Sequence, residues 1–295
     1  MATIIKATGI STDNSIKSSN QHAIEAGRQC IESAGIDINH IDLIINVGIY
    51  RDENMLEPAM AAFAQKGLNI KPDYVKSQPF NAAFSLDMMN SACGIINAIQ
   101  TADALFKSRK LKYALIVSSD AHPSNTDHEG FPYATIGGAM LLEYTEDTKG
   151  FHDFSFNHSP TTDQSVKGYL DFNNLSEPAK ERLTVDMPAR YKDELVKFSG
   201  ESVEEYLTSF DVDRKTVKLV SSQPVLNFGR KIAEIVSIKD DSIMDLYEKY
   251  GDAHSSAITM NYHLLAKENN FKSNDTVLFV AAGAGITTAC VSYTV

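Results

Sequence analysis

The chain has 295 residues, 43% of them hydrophobic and 22% charged, which is enough to bury a sizeable core as one large domain or as two fused halves. Its formal net charge of −11 at pH 7 argues against a nucleic-acid partner, because binding phosphates requires a basic surface. The sequence has three cysteines without a CxxC pair and eight scattered histidines, which predicts a reduced protein without a metal site. It shows no signal peptide and no apolar run of membrane length, which predicts a cytoplasmic protein without a membrane partner.

Short apolar runs rich in β-branched residues predict strands at 3–10, 41–49, 113–121, 139–145, 216–222, 276–282 and 287–295. Most are apolar nearly throughout, which is typical of strands covered on both faces. Segments with a helical period lie between them, at 19–34, 55–66, 93–108, 192–208, 227–237 and 254–268. The alternation predicts an α/β protein with a largely parallel sheet. The polar stretch at 151–182 is expected to form long loops between two halves.

A weak internal repeat relates the two parts of the sequence. In residues 90–121 a polar turn is followed by a helix and a strand, and residues 252–285 repeat this order. The alignment sets Cys93 opposite Ser255, so a pseudo-twofold axis would bring these two helix starts together in one site. The alternative is chance similarity between two amphipathic units. The repeat divides the chain into two similar halves, 1–150 and 151–295.

Five motifs, spread over almost the whole chain, resemble one family. They are FSLDMMNSACGIINAIQTAD, ATIGGAMLLE, LVSSQPVLN, YGDAHSSAI and AAGAGITTA, in this order. The series is similar to that of the thiolase fold and, within it, of the β-ketoacyl-acyl-carrier-protein synthase III type of condensing enzyme. The resemblance implies an α/β fold of two similar halves, layered α-β-α-β-α.

The resemblance also implies a catalytic site, from which this sequence departs. In the family a cysteine takes the acyl group from a thioester, and a histidine and an asparagine assist decarboxylation of a malonyl extender. Without a gap, the cysteine position falls on Ala92, one residue before Cys93, while the histidine position falls on Ser222 and the asparagine position on Asp252. A carboxylate donates no hydrogen bond unless it is protonated. Ordinary decarboxylative condensation is therefore not expected.

Cys93 is the candidate nucleophile. At a helix start, the helix dipole and the backbone amides stabilise a thiolate. Those amides, together with one from the turn between Gly283 and Gly285, would hold a thioester oxyanion, and Gly94 permits close approach of a substrate. The alternative is that Cys93 is a small buried residue at a tight junction, which the one-residue shift favours. Both interpretations stay open from the sequence.

His254 is the candidate base, since it follows Asp252 closely on the loop that the repeat sets opposite Cys93. The alternative is a polar residue at a helix N-terminus, which Asp252 caps. Ser222 can donate one hydrogen bond but is a poor base. His122 follows a strand end and is interpreted as an ordinary loop residue. Cys30 and Cys290 lie on apolar faces and are expected in the core.

These residues lead to two hypotheses. The first is an acyltransferase or condensing enzyme of fatty-acid-like or polyketide metabolism, which carries an acyl group from coenzyme A or an acyl carrier protein on Cys93 and binds no permanent cofactor. The second is a non-catalytic subunit that pairs with an active condensing enzyme. The resemblance implies a twofold homodimer, or a heterodimer with a ketosynthase-like subunit, whose interface includes residues 79–89.

Overall fold

The computed structural model describes residues 1–71, 83–109, 111–146, 148–160, 165–173, 178 and 181–295. Its strands are β1 (Ala2–Ser11), β2 (Ile41–Asn46), β3 (Phe84–Asp87), β4 (Tyr113–Ser119), β5 (Gly137–Thr145), β6 (Gly150–His158), β7 (Lys167–Leu170), β8 (Leu183–Asp186), β9 (Lys218–Ser221), β10 (Thr276–Gly283) and β11 (Thr287–Thr294). Its helices are α1 (Ser19–Ala34), α2 (Met60–Gly67), α3 (Gly94–Arg109), α4 (Tyr191–Ser209), α5 (Phe228–Val236), α6 (Tyr247–Tyr250) and α7 (Ala257–Lys267). Short 3₁₀ turns lie at Ile38–His40, Asp52–Asn54 and His254–Ser256.

Two sheets of similar topology form the framework. The first has the order β1-β5-β4-β2-β3 and the second the order β6-β11-β10-β9. In each, the first three strands pair antiparallel and the following pairs are parallel. The two similar halves expected from the repeat are therefore present as two similar sheets. The division into domains at residue 150 stays a prediction.

Helices α3 and α7 lie between the two sheets. Apolar residues of both helices form one core cluster with strands of both sheets. Helices α1 and α2 pack on the outer face of the first sheet, and α4 and α5 on the outer face of the second. This confirms the α-β-α-β-α layering. Within the described ranges, no helix combines the length and the apolar character needed to cross a membrane.

The sheets are mixed rather than largely parallel, because β5 and β11 each return antiparallel beside the strand that precedes them. The stretch at 151–182 was expected to hold loops, but it contains most of β6 and all of β7. In β6 the residues that pack toward the core are Phe151, Phe154 and Phe156; polar residues lie between them, and the pairing with β11 shifts register between Cys290 and Ser292. Such a half-polar pattern is normal for an antiparallel edge strand and hides it from a search for continuous apolar runs.

The fold brings the starts of α3 and α7 together. Ser91, before α3, contacts His254, before α7, across a sequence separation of 163 residues. The end of β10 lies against the same point, since a Cβ atom on Gly283 would stand 3.1 Å from the Cβ of Ser91. Residues 79–82 of the segment expected at a dimer interface lie outside the described residues, whereas β3 forms the edge of the first sheet.

Strand β1 approaches helix α1 most closely at Gly9. A Cβ atom there would stand 2.3 Å from the carbonyl oxygen of Ala26 and 2.6 Å from the amide nitrogen of Cys30. Both are backbone atoms, so relief requires the helix to move. We expect Gly9→Ala to lower the free energy of unfolding by about 1–3 kcal/mol, measured by urea unfolding followed by circular dichroism.

The matched control is Gly130→Ala, on an exposed loop, where the new Cβ would meet only the His128 ring at an ordinary 3.4 Å. We expect no comparable loss of stability in this variant. Equal stability of the Gly9→Ala variant and the unsubstituted protein would contradict the packing argument.

Candidate active site

A small cavity lies where α3 and α7 begin. Its volume is about 10 Å³, which is room for about one water molecule. It is lined by Ser91, Ala92, Tyr133, Met187, Tyr191, Ser222, Pro224, Asp252, His254 and Ala282. The three positions at which the sequence departs from the resembling family, Ala92, Ser222 and Asp252, therefore lie together, with the candidate base His254 beside them.

Ser91 presents its hydroxyl at the start of α3. Its Oγ atom lies 2.8 Å from Nε2 of His254. Its φ angle of 48° places it in the left-handed region, which is sparsely occupied by residues other than glycine. The amide of Gly94 donates to the Ser91 carbonyl over 3.2 Å and closes the turn from strand to helix. A strained turn of this kind lifts a hydroxyl toward a cavity.

His254 is held on three sides. Its backbone amide donates to Oδ1 of Asp252 over 2.8 Å, and its ring stacks on Tyr133 with centroids 4.1 Å apart. Its Nδ1 atom lies 3.0 Å from Oδ2 of Asp120. A carboxylate only accepts, so Nδ1 carries the proton and donates it to Asp120. Nε2 of the neutral ring then accepts the hydrogen bond from Ser91.

Asp120 directly follows β4 and is fully buried. Its Oδ1 accepts the amides of Ile49 and Tyr50, each over 2.8 Å, and its Oδ2 accepts the hydroxyl of Ser255 over 2.6 Å and the Ser255 amide over 3.2 Å. Burial alone would raise the pKa of Asp120. The charge and hydrogen bond of His254, with the other donors, outweigh burial and lower the pKa to about 2.

The same interactions also shift the pKa values of His254 and Asp252. Burial lowers the pKa of His254, but the Asp120 carboxylate outweighs it and leaves the pKa raised above the ordinary value. Burial raises the pKa of Asp252 to about 6, although His254 opposes the shift. Ser91, His254 and Asp120 thus form a hydroxyl–imidazole–carboxylate triad, an arrangement that activates a hydroxyl as a nucleophile.

Cys93 lies outside the cavity. Its side chain is 0% exposed, and its thiol points toward the carbonyl oxygens of Ala281 at 3.5 Å and Thr287 at 3.6 Å. Burial raises the pKa of the thiol to about 12. Cys93 is therefore placed as a small buried residue at a tight junction. Its role as a nucleophile stays a prediction. Cys30 and Cys290 are buried in the core, as expected.

The other predicted site residues divide between the cavity and its surroundings. Ser222 lines the cavity, and its Oγ accepts the Ala282 amide over 2.9 Å. Gly283 supports Ser91 from behind. Gly94 donates its amide to Ser91 rather than into the cavity. Gly285 lies in the exposed turn between β10 and β11, and its expected role at an oxyanion stays a prediction.

A larger cleft adjoins the small cavity. Its volume is about 700 Å³, and Tyr133 lines both spaces. Tyr133 packs with Tyr50 and Phe131 in an aromatic cluster over His254. The cleft wall carries Lys17, Asp127, His128, Glu129 and Lys249. This space is of the size that accepts a small-molecule ligand.

One other cluster contains residue types that bind metals. Among the described residues, ligand atoms of His122, His128 and Glu181 lie within 4.8 Å of one another. His122 is buried, and its ring is nearly parallel to that of His128, with centroids 4.1 Å apart. A metal lies in the plane of each imidazole that ligates it, so two stacked parallel rings do not direct their lone pairs to one ion. We assign no metal to this cluster.

Sequence reasoning missed Ser91, Asp120 and Tyr133. Ser91 directly precedes Ala92, the position of the family cysteine, so the signal that could have found it is its place in the same motif. Asp120 lies immediately after an apolar strand in SSDAH, which is a common location for functional side chains. Tyr133 lies in the long connection between β4 and β5, where no pattern in the sequence pointed to it.

The chain is similar in sequence and in fold to several known proteins. Residues 207–295 match the model of the 3-oxoacyl-[acyl-carrier-protein] synthase III C-terminal domain. The β-ketoacyl-[acyl-carrier-protein] synthase III of Rickettsia bellii is 23% identical over 278 residues, covering 90% of this chain and 80% of the relative. The 3-oxoacyl-[acyl-carrier-protein] synthase III of Aquifex aeolicus superposes over 100% of both chains, with 18% identity and a TM-score of 0.80.

A second solved structure, OleA of Xanthomonas campestris with bound lauric acid and lauroyl-CoA, covers 100% of this chain and 99% of its own. It has 14% identity and a TM-score of 0.81. At such identities the superposition shows the fold, which is thiolase-like over the whole chain. Which chemistry the site performs has to be argued from its own residues.

Asp120 is the residue whose loss we expect to cost the most stability at this site. In Asp120→Ala, the His254 ring, the Ser255 hydroxyl and the three backbone amides of Ile49, Tyr50 and Ser255 lose their acceptor in a buried place. We expect the free energy of unfolding to fall by about 3–5 kcal/mol, as when one partner of a buried charged pair is removed. Urea unfolding measures this loss. Glu201→Ala, on the exposed face of α4, is the control, and an equally small change in both variants would contradict the assignment.

Proposed function

We propose that this synthase III-like protein of the thiolase fold is an acyltransferase that takes acyl groups from thioesters of coenzyme A or acyl carrier protein onto the hydroxyl of Ser91. The observation that carries the proposal is the triad of Ser91, His254 and Asp120 at the start of α3. The names of the relatives support the substrate class, since they are synthases that act with acyl carrier protein, and OleA was solved with lauroyl-CoA.

The acylation step uses each member of the triad. Oγ of Ser91 attacks the thioester carbonyl carbon while Nε2 of His254 takes the hydroxyl proton. The tetrahedral intermediate collapses, the carbon–sulfur bond breaks, and the departing thiolate takes that proton from His254. The products are an oxygen ester on Ser91 and a free thiol. Asp120 stabilises the imidazolium that exists between the two proton transfers.

The start of α3 is suited to the charge that develops on the substrate. The amide that follows the nucleophile, that of Ala92, is the donor we assign to the oxyanion, as in other strand–turn–helix nucleophile sites. The positive end of the α3 dipole adds to it. Ala92 is small, so its side chain leaves this approach open.

Substrate binding requires the small cavity to widen, because about 10 Å³ does not hold a thioester. Of its wall residues, Met187 directly follows β8 and Tyr191 begins α4. Tyr133 separates the cavity from the cleft of about 700 Å³. We assign the bulk of the substrate to that cleft and its reacting carbonyl to the cavity.

Ser91 is preferred to Cys93 on two grounds. The Ser91 hydroxyl lines the cavity and is hydrogen-bonded to a base, whereas the Cys93 thiol faces the core and has a pKa raised by burial to about 12. A nucleophile has to be both reachable and deprotonated at the moment of attack. Ser91 is reachable because it lines the cavity, and His254 can take its proton during attack.

Acylation is tested by intact-protein mass spectrometry after incubation with saturated acyl-coenzyme A thioesters from acetyl to lauroyl. We expect an acyl adduct on the unsubstituted protein and on Cys93→Ala, and none on Ser91→Ala. Because the adduct is an oxygen ester, it survives neutral hydroxylamine, which cleaves thioesters rapidly. Peptide mapping locates it.

Two other outcomes have defined meanings. An adduct that is lost in Cys93→Ala, kept in Ser91→Ala and released by hydroxylamine would overturn the role of Ser91 and establish Cys93 as the nucleophile. The absence of an adduct with every donor on the unsubstituted protein, shown by circular dichroism to be folded, would overturn the acyltransferase proposal.

The rate of acylation should depend on the protonation of His254, which acts only when Nε2 is neutral. Although burial lowers the pKa of His254, Asp120 raises it above the ordinary value of 6.5, so the rate should rise with pH with a midpoint above 6.5. Asp120→Asn removes the charge that favours the imidazolium and should move the midpoint to lower pH. Rapid-quench mass spectrometry across pH measures both profiles, and a midpoint unmoved by the substitution would contradict the coupling.

One set of observations favours a second candidate, a non-catalytic subunit that pairs with an active condensing enzyme. The cavity is small, Ala92 occupies the position of the family cysteine, and apolar side chains are exposed beside the edge strand β3, with Phe84 61% and Met89 56% exposed. An exposed apolar sheet edge is a pairing surface for a homodimer or a heterodimer. Analytical ultracentrifugation of the protein that forms no adduct would then be the next measurement.

A further inference from the structure

We propose that the acyl acceptor is a primary amine and that Asp252 binds and deprotonates it, so that the product is an amide. The inference rests on the proposed acylation of Ser91. Its own basis is the position of Asp252, a carboxyl that lines the same cavity as Ser91 and is tied by one oxygen to the His254 backbone amide over 2.8 Å.

The charge in the cavity favours a cation. Two carboxyl groups, Asp252 and Asp120, lie around the single imidazole of His254, and Lys192, whose charge acts on Asp252, is exposed. An ammonium group entering the cavity would meet a carboxylate that faces it directly.

The same charge disfavours a malonyl acceptor. A malonyl group brings its own carboxylate, and its decarboxylation leaves an enolate that needs hydrogen-bond donors. The two cavity positions that the resemblance assigns to a histidine and an asparagine hold Ser222 and Asp252. Ser222 offers one hydroxyl, and an ionised Asp252 offers no donor and repels the enolate.

The transfer step balances within the cavity. Asp252 takes one proton from the bound ammonium, which gives a neutral amine beside a neutral carboxyl. The amine nitrogen attacks the carbonyl carbon of the acyl ester, and Nε2 of His254 takes a second proton from nitrogen. The bond from carbon to Oγ of Ser91 breaks, and His254 returns its proton to Oγ. The amide leaves, and Asp252 releases its proton to water.

The surroundings of Asp252 suit a group that exchanges a proton near neutral pH. Burial raises its pKa to about 6, so both protonation states are accessible. The titratable groups that face it are the tyrosines over the cavity and the neighbouring charges: Tyr50, Tyr133, Tyr191, Asp120, Lys192 and His254. Of these, His254 also takes part in the transfer; burial lowers its pKa, but Asp120 outweighs burial and raises it above the ordinary value, and its contribution appears separately in the pH profile of acylation.

The test starts from acyl-Ser91 protein prepared with octanoyl-coenzyme A and freed of excess donor. It is mixed with propylamine, with 1-propanol, which matches propylamine in size but lacks the amine, or with malonyl-coenzyme A. Mass spectrometry follows loss of the adduct and the product formed. We expect N-propyl octanamide to form at least about 100-fold faster than propyl octanoate, in keeping with the contribution of a positioned general base. No 3-oxodecanoyl product is expected from malonyl-coenzyme A.

Asp252→Asn is the matched variant, because it keeps the shape and removes the base. It should form the amide about 100-fold more slowly from the same amount of acyl-enzyme. Its rate should also climb about tenfold per pH unit from neutrality toward the pKa of propylamine, because the free amine alone then reacts, whereas the rate of the unsubstituted protein levels off above the midpoints of Asp252 and His254. This difference in pH profile does not arise from a merely structural role.

Three results would overturn the inference while leaving Ser91 acylation intact. They are propylamine acting no faster than propanol or buffer, a 3-oxoacyl product from malonyl-coenzyme A exceeding the amide, and equal amide formation in Asp252→Asn. The propylamine and propanol comparison on the unsubstituted protein decides the question even where the variant does not fold. The absence of any acyl-Ser91 adduct is a different result, which overturns the proposed function and this inference with it.

Discussion

The buried carboxylate of Asp120 is the constraint around which this part of the molecule is arranged. An ionised carboxyl group removed from water is costly unless every lone pair finds a donor. The chain supplies these donors from two places: the loop after β2, through Ile49 and Tyr50, and the 3₁₀ turn before α7, through Ser255 and the imidazole of His254. One side chain at the end of β4 therefore ties the first sheet to the helix that begins the second half of the site.

That arrangement also determines what His254 can do. Because Nδ1 has to donate to Asp120, the lone pair of the neutral ring is on Nε2, and Nε2 lies at Ser91. Both Ser91 and His254 have φ angles in the left-handed region, 48° and 44°, which cost free energy in residues other than glycine. Such conformations persist where surrounding contacts over-determine them, and here the donors to Asp120 and the ring stacking on Tyr133 provide those contacts.

The sequence predicts the framework better than the site, for physical reasons. Strands such as β4 and β10 are buried on both faces, so their composition alone identifies them, and α1 was predicted with its observed bounds. Strand β6 has only one buried face, so its polar residues hide it from a search for continuous apolar runs. In the triad, Ser91 and His254 are 163 positions apart in the sequence and His254 and Asp120 are 134 apart, and the site depends on a strained turn at Ser91. No local spacing of residues therefore predicts it. His254 and Asp252 were found because a motif places them in one loop.

The departures from the family pattern are consistent with one another once Ser91 replaces a cysteine. A thiol at a helix start ionises readily, and the helix dipole does much of the work of activating it. A hydroxyl holds its proton far more tightly and needs a base whose conjugate acid is itself stabilised. Ser222, at the expected histidine position, cannot be that base, whereas His254 is, because Asp120 lies behind it. In the proposed mechanism the alanine at position 92 and the histidine–carboxylate pair therefore belong together, because a serine nucleophile without Asp120 would not be activated.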